Sequence, residues 1–315
     1  MARTAISLGA CLLHLAAACA FALDTAGWMA TLRDDAPLRS IAIPGAHDAG
    51  TAGMPWYACT QDADIARQLA EGVRYLDLRT AMQGGVPVIF HGPATGMRLQ
   101  AALRAVADFL AAHPSECVIL DFQHFRDAAE APAAALLAQL LGARLYSAGG
   151  ADKQACMDSL PLGSVRGKAL VLWGTVPDSR LQDPRFFLRG NNGGTRPGAC
   201  LHSFYDEDAH TGDAADFVQK TLPQYLERFR GMARGLFVLQ GQLTDSWGIR
   251  GPRFMENTHA ARMDSFVASL ARSPHLPLVN IIQRDFTTPA KNALTIRLNI
   301  PKALVRPGQE SALAD

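Results

Sequence analysis

Two histidines, one arginine and four aspartates give this chain the means to move protons and hold a charged ester. His47 and Asp48 lie side by side in "IPGAHDAGT", and Asp77 and Arg79 stand two apart in "RYLDLRT". His91 ends "VIFHG", Asp121 and Gln123 end "VILDFQ", Gln240 and Gln242 sit in "VLQGQ", and Asp285 closes "IIQRDF". Two imidazoles titrating near neutrality can share the work of phosphodiester cleavage, one taking a proton from an attacking hydroxyl and the other giving one to the leaving oxygen. A guanidinium can hold the phosphoryl oxygens and stabilise the charge that develops there. Aspartates would orient the imidazoles and favour their charged forms. Each residue alone has a plainer reading. "DAG" favours an Asx turn at Asp48, Asp77 can pair with Arg74 or Arg79, and His91 can hydrogen-bond a loop. Their common position, each at the end of an apolar run, is what points to one site.

Those runs are "RSIAIPG", "RYLDLRT", "VPVIFHG", "CVILDFQ", "KALVLWG", "GLFVLQGQ" and "PLVNIIQRDF", with a weaker one at "ACLHSFYD" around Leu201. Each has strand length and is bounded by Gly, Pro or a polar residue. Helical patterns separate them. The clearest spans Arg98 to His113, where Leu99, Leu103, Val106 and Leu110 recur at helical spacing and Pro114 closes the run. Others cover Asp62 to Glu71, Pro132 to Leu141, Ala214 to Arg230 with a break at Pro223, and Thr258 to Ala271. This alternation predicts a parallel sheet covered on both faces, and its repeat number fits a single-domain (β/α)8 barrel of the TIM type, regular or distorted. In such a barrel functional residues lie where strands run into the following loops. The stretch from Asp178 to Pro197, with "GNNGGTRPG", reads as a long loop over one end. The G-x-G-x-x-G fingerprint of a dinucleotide fold is missing.

Thirty Lys plus Arg against 29 Asp plus Glu leave a formal charge of +1, which argues against a nucleic-acid partner held by bulk electrostatics. Arg3, the apolar stretch from Ala5 to Ala22 and two A-x-A sites ending at Ala20 and Ala22 read as a secretory signal over residues 1–22, with one barrel domain over 23–315. Export to the periplasm or exterior is the expectation. Of six cysteines, Cys59, Cys117, Cys156 and Cys200 would remain; Cys117 reads as a buried thiol, and one disulfide, Cys156 with Cys200, is the most expected. No Cys-x-x-Cys spacing points to zinc.

The stretches "LRSIAIPGAHDAGT", "QLAEGVRYLDLRT", "VIFHG" and "FLAAHPSECVILDFQHF", in that order, resemble the X domain of phosphatidylinositol-specific phospholipases C, the bacterial metal-independent type in particular. Past Phe125 only "LVNIIQRDF" keeps the likeness. The resemblance implies that His47 is the general base and His91 the general acid. It also implies that Arg79 contacts the phosphate, Asp48 supports Arg79 and His91, and Asp285 orients His47. The implied reaction is internal attack by an inositol hydroxyl, releasing diacylglycerol and a cyclic inositol phosphate. The family's arginine and tyrosine contacts to the headgroup have no clear counterpart here. Asp121, Gln123, Trp173, Gln240 and Gln242 are the candidates for that contact, with packing or loop capping as the alternative for each.

Arg79 stands where metal-dependent relatives need a carboxylate-rich site, so no cofactor is expected. The minority reading places Ca²⁺ or Mg²⁺ on Asp77 and Asp121, as in sphingomyelinase D-like or glycerophosphodiester phosphodiesterase-like enzymes. Trp56 and Tyr57, in the loop after His47, suit a water–lipid interface, so the expected partner of a monomer is phospholipid at a membrane surface. A non-catalytic barrel that binds phosphoinositides is the competing reading from another class.

Overall fold

The computed structural model describes residues 23–147, 157–174, 184–192, 198–205, 213–232, 234–245 and 249–314. The expected signal at 1–22 and Cys156 lie outside them. Eight strands close a parallel barrel: β1 (Ile43–Ala46), β2 (Tyr75–Gln83), β5 (Val118–Arg126), β6 (Ala169–Trp173), β7 (Phe186–Asn192), β8 (Leu201–Ser203), β9 (Leu236–Gln240) and β10 (Ile281–Arg284). The seam is sealed because β1 pairs with both β10 and β2. Helices α1 (Ile65–Ala70), α2 (Leu99–Ala112), α3 (Glu130–Leu141), α4 (Leu162–Val165), α5 (Ala214–Asp216), α6 (Leu222–Arg230), α7 (Pro252–Leu270), α8 (Pro289–Arg297) and α9 (Ser311–Ala314) make up the rest.

Two strand expectations are corrected. "VPVIFH" is not a barrel stave: it is β3 (Val86–His91), antiparallel to β2 and followed by β4 (Ala94–Arg98). The turn between β2 and β3 is Gly84-Gly85, both at positive φ (55° and 80°), the pair of left-handed positions that a tight hairpin needs. The missing stave is β7, inside the stretch read as a long loop. Its arginine, glycine and asparagines mask a strand that pairs with both β6 and β8.

Alternation along the staves sorts side chains between two apolar layers. Ile43, Tyr75, Ile119, Leu170, Leu172, Leu201, Val238 and Ile281 fill the barrel's lower interior. Leu76, Leu78, Leu120, Phe122, Val171 and Trp173 face outward onto α1, α2 and α3, while Phe237, Leu239 and Ile282 face α6 and α7. Gly45 is inward, and a Cβ there would come within 2.9 Å of the Tyr75 ring and 3.1 Å of Ile281. Space for that ring is the reason for glycine. In the helix expected to break at Pro223, α5 runs into a π-helical turn over Phe217–Thr221 and then α6, so the chain stays helical. The wider turn relieves the clash between a proline ring and the carbonyl four residues back. Helix α7 starts at Pro252, six residues before the expected Thr258.

The bottom of the barrel is closed by the segment after Leu23. Trp28, Met29 and Leu32 enter the interior cluster, and the Trp28 indole donates to Gly72 O at 3.0 Å. Arg74, wholly buried, pairs with Glu116 at 2.8 Å and donates to the Thr25 and Ala26 carbonyls. Glu116 in turn accepts from Met29 N at 3.2 Å. Arg74 is therefore spent on this strap and does not pair with Asp77. Cys59 and Cys117 are free thiols, and Cys200 is disulfide-bonded.

Candidate active site

Of the eight stave ends at one mouth of the barrel, all but that of β6 contribute a polar side chain among the described residues. His47 directly follows β1, its N–H donating to Arg284 O at 3.1 Å and its carbonyl accepting from Gln61 Nε2 at 2.9 Å and Thr60 Oγ1 at 3.0 Å. Asp48 then takes a left-handed φ of 42°, which swings its carboxylate back over the mouth. His47 Nδ1 meets Asp285 Oδ1 at 2.7 Å. On its other side, His47 Nε2 lies 3.3 Å from Asp48 Oδ2 and 3.4 Å from an Arg79 nitrogen. His91 Nδ1 faces the Ala58 carbonyl at 2.8 Å, which requires it to donate there, and His91 Nε2 lies 3.4 Å from Asp48 Oδ2. Arg79 Nε lies 2.7 Å from Asp48 Oδ1, an ion pair set off the line of a hydrogen bond. One carboxylate thus touches both histidines and the arginine.

The electrostatics follow from that crowding. Burial works against a charged His47, but Asp48 and Asp285 outweigh it and raise the imidazole to about 9. Burial likewise opposes a charged Asp48, and Arg79, His47 and His91 together hold its carboxyl below the ordinary carboxylate value. Asp77, buried and close to Asp48, is pushed up. Its Oδ2 accepts from Gln283 Nε2 at 3.0 Å, while Oδ1 has no partner among the described residues.

The strand end that carries Asp285 is held hard. Phe286, the next residue, sits at φ 46°, strained for a bulky side chain. Lys291 Nζ donates to the Asp285 and Phe286 carbonyls at 3.2 and 2.8 Å and also pairs with Glu256. The Arg253 guanidinium lies 3.4 Å over the Phe286 ring.

His47, Asp48 and Asp77 place ligand atoms within 4.8 Å of one another. The donor count suits a divalent ion, but the Arg79 charge already occupies Asp48. Asp121 is not in this group. It is fully buried, ion-paired to Arg189 at 2.7 Å and accepting from the Tyr75 hydroxyl at 2.5 Å.

The headgroup candidates separate. Trp173 does not line the mouth: its parity puts it on the outer face, stacked with Phe122, Phe125 and Phe186 at centroid distances of 4.4–5.0 Å. Gln123 faces inward with Oε1 unpartnered, and Gln242 donates to Gln240 Oε1 at 2.7 Å, Gln240 to Ser203. An arginine and a tyrosine do stand at stave ends: Arg189 on β7, and Tyr205 just past β8 with its hydroxyl on Thr244. Both were missed, Arg189 because its strand was read as loop and Tyr205 because its strand was weak. His47 and Asp48, neighbours in sequence, are also in contact in space.

A cavity of about 130 Å³ opens on His47, His91 and Asp285, walled by Tyr57, Leu243 and Met255. A larger groove lies elsewhere, between the π-helical turn and α7, without an acid–base group. Trp56, Tyr57, Ile249 and Phe254 are 65%, 44%, 75% and 51% exposed, and Trp56 packs on Gly251, so the four share one rim of the small cavity's mouth.

Residues 35–173 match the family described as "Phosphatidylinositol-specific phospholipase C, X domain". The match covers under half of the chain. It takes in the base of the site, from His47 to Asp121. The chain is 29% identical over 133 residues to human PI-PLC X domain-containing protein 2, covering 32% of this chain and 44% of the relative. A Listeria monocytogenes 1-phosphatidylinositol phosphodiesterase is 31% identical over 106 residues, covering 31% of this chain and 32% of the relative. The matches thus span less than half of either relative's length. The barrel as a whole resembles the phosphatidylinositol-specific phospholipase C of L. monocytogenes, at TM-score 0.67 and 20% identity, over 88% of this chain and 99% of that one. A Staphylococcus aureus phosphatidylinositol-specific phospholipase C structure, concerned with modulation of membrane binding, gives TM-score 0.65 at 16% identity over 87% and 97%. Beyond residue 173 the likeness is one of fold.

Proposed function

We propose that this chain is a phospholipase C-like phosphodiesterase acting on phosphatidylinositol or a related phospholipid whose headgroup carries a hydroxyl beside the phosphate. The observation that carries the reading is the approach of both Nε2 atoms, His47 at 3.3 Å and His91 at 3.4 Å, to one oxygen of a carboxylate that Arg79 also holds. A phosphodiester seated at this spot meets a base on one side, an acid on the other and a guanidinium at its oxygens. Asp285 fixes the Nδ1–H tautomer of His47, leaving Nε2 to take the hydroxyl proton. The Ala58 carbonyl does the same for His91, whose Nε2 proton goes to the leaving glycerol oxygen. Diacylglycerol and a cyclic inositol phosphate are the products. Because His47 is raised to about 9, its neutral form is about 1% of the whole at pH 7.

Charge supply by Arg79 is the favoured arrangement; a divalent ion on His47, Asp48 and Asp77 is the second reading, favoured by their spacing. Trp56, Tyr57, Ile249 and Phe254 form the lipid-facing rim of this proposal, and export places the enzyme outside the cytoplasm. The relatives' names supply the substrate class, phosphatidylinositol, as a starting point. The test is release of inositol phosphate from phosphatidylinositol vesicles with and without EDTA. Activity that survives EDTA and disappears in His47→Ala and His91→Ala supports the acid–base scheme. Dependence on Ca²⁺ or Mg²⁺ would turn the reading toward the ion, and no cleavage of any phosphodiester would leave a binding barrel.

A further inference from the structure

Strand β5 carries an irregularity next to the site. Its register with β2 runs Leu78 to Phe122 and then Arg79 to His124, so Gln123 is an extra residue on β5. The outer face records the same shift. Phe122 and Phe125 stack with their rings 5.9 Å apart and 2° from parallel, and both pack on Trp173. Residues three apart on a regular strand point to opposite faces, so sharing one face requires the inserted residue between them. Asp121 faces the barrel interior, where it pairs with Arg189. Gln123 and His124 are both left on the side of the mouth, Gln123 buried and His124 exposed above it.

We infer that His124 is a headgroup-contacting residue, an imidazole delivered by the bulge to the mouth beside Arg79, where it hydrogen-bonds hydroxyls of a polyol whose phosphate Arg79 holds. This rests on the proposed phosphodiesterase reading and deepens it. Partial desolvation of the ring, Arg79 and Arg189 hold His124 below the ordinary histidine value, against Asp48 and Asp121, so the charges that act on it are all at the site. The ring is therefore neutral at pH 7, with one nitrogen to accept and one to donate. Adjacent ring hydroxyls, each both donor and acceptor, are the matching ligand. Without the bulge, residue 124 would point into the apolar layer under α3, so the irregularity has a use. Bulges beside active sites commonly re-aim a side chain in this way.

Titration calorimetry with myo-inositol 1-phosphate and with inorganic phosphate separates headgroup from phosphate. His124→Ala is expected to bind the inositol phosphate about tenfold more weakly, the loss of roughly one hydrogen bond, with inorganic phosphate unchanged. His124→Asn, which keeps a donor and an acceptor, is expected to recover part of the loss. The position is exposed, so unchanged thermal unfolding of both variants serves as the control. Equal affinity of His124→Ala and wild type for the inositol phosphate overturns the assignment alone. Equal weakening toward both ligands also overturns it, moving His124 to the phosphate. A wild-type protein that binds inorganic phosphate as well as inositol phosphate overturns the headgroup reading, and the assignment falls with it.

Discussion

Asp285→Asn removes one negative charge 2.7 Å from His47 Nδ1 and almost none of the shape. A hydrogen bond to a charged group contributes about 1.5–3 kcal/mol. At 1.36 kcal/mol per pKa unit that is roughly 1–2 units, so His47 should fall from about 9 to about 7–8. Two readouts follow with opposite signs. In kcat/KM on a soluble inositol phosphodiester, the acid limb moves to lower pH, because the base is freed of its proton sooner. The plateau meanwhile falls by roughly 10²–10⁴, because an amide no longer enforces the Nδ1–H tautomer, as in Ser-His-Asp triads. Stability gives a third check. A folded value above the unfolded one of about 6.5 stabilises the fold below pH 6.5, and that contribution fades as pH rises to about 9. The variant should show a shallower decline in that window. An acid limb that stays near 9 in Asp285→Asn, with His47 titrating unchanged by NMR, would refute the reasoning.

Arg79→Lys keeps the charge but loses the planar fork that reaches Asp48 and His47 at once, so kcat/KM should drop by about 10²–10³ with the fold intact by circular dichroism. Glu116→Gln leaves the buried Arg74 charge unpaired and should cost about 3–5 kcal/mol, read as a thermal midpoint lower by on the order of 10 °C. Trp56→Ala, and Ile249→Ser separately, should weaken sedimentation with phosphatidylinositol vesicles while leaving cleavage of a soluble substrate unchanged; equal loss on both would place these side chains in the catalytic pocket instead.

The stretches from Leu38 to Phe125 were legible because strand ends there combine an apolar run with a polar close, and a parallel barrel puts all such ends at one mouth. That logic placed His47, Arg79 and Asp285 together, although it treated β3 as a stave; His91 reaches the site from a hairpin whose Gly-Gly turn was present in the sequence as a signal. Strand β7 was hidden because the interior of a barrel tolerates Arg189 when Asp121 faces it, and a strand read by its apolar content alone does not show that pairing. Trp173 faces outward because alternation along KALVLW gives the interior to Leu170 and Leu172, which a residue's place at a strand end does not reveal by itself. The contact between His47 and Asp48 depends on one left-handed φ, a backbone angle that local composition permits without requiring.

His47 and Asp285 lie 238 residues apart, and they meet only where β1 is sealed against β10. The acid–base pair is therefore assembled by the final closure of the barrel and by nothing earlier. A nascent chain carries His47, Arg79 and His91 long before it carries the strand that orients the base. No fragment ending before Ile281 can have that tautomer fixed, whatever part of the barrel it forms. Contacts of such long sequence separation form late and slowly. Onset of activity during refolding would then report ring closure itself, and the proposed phosphodiesterase stays silent until its last stave is in place.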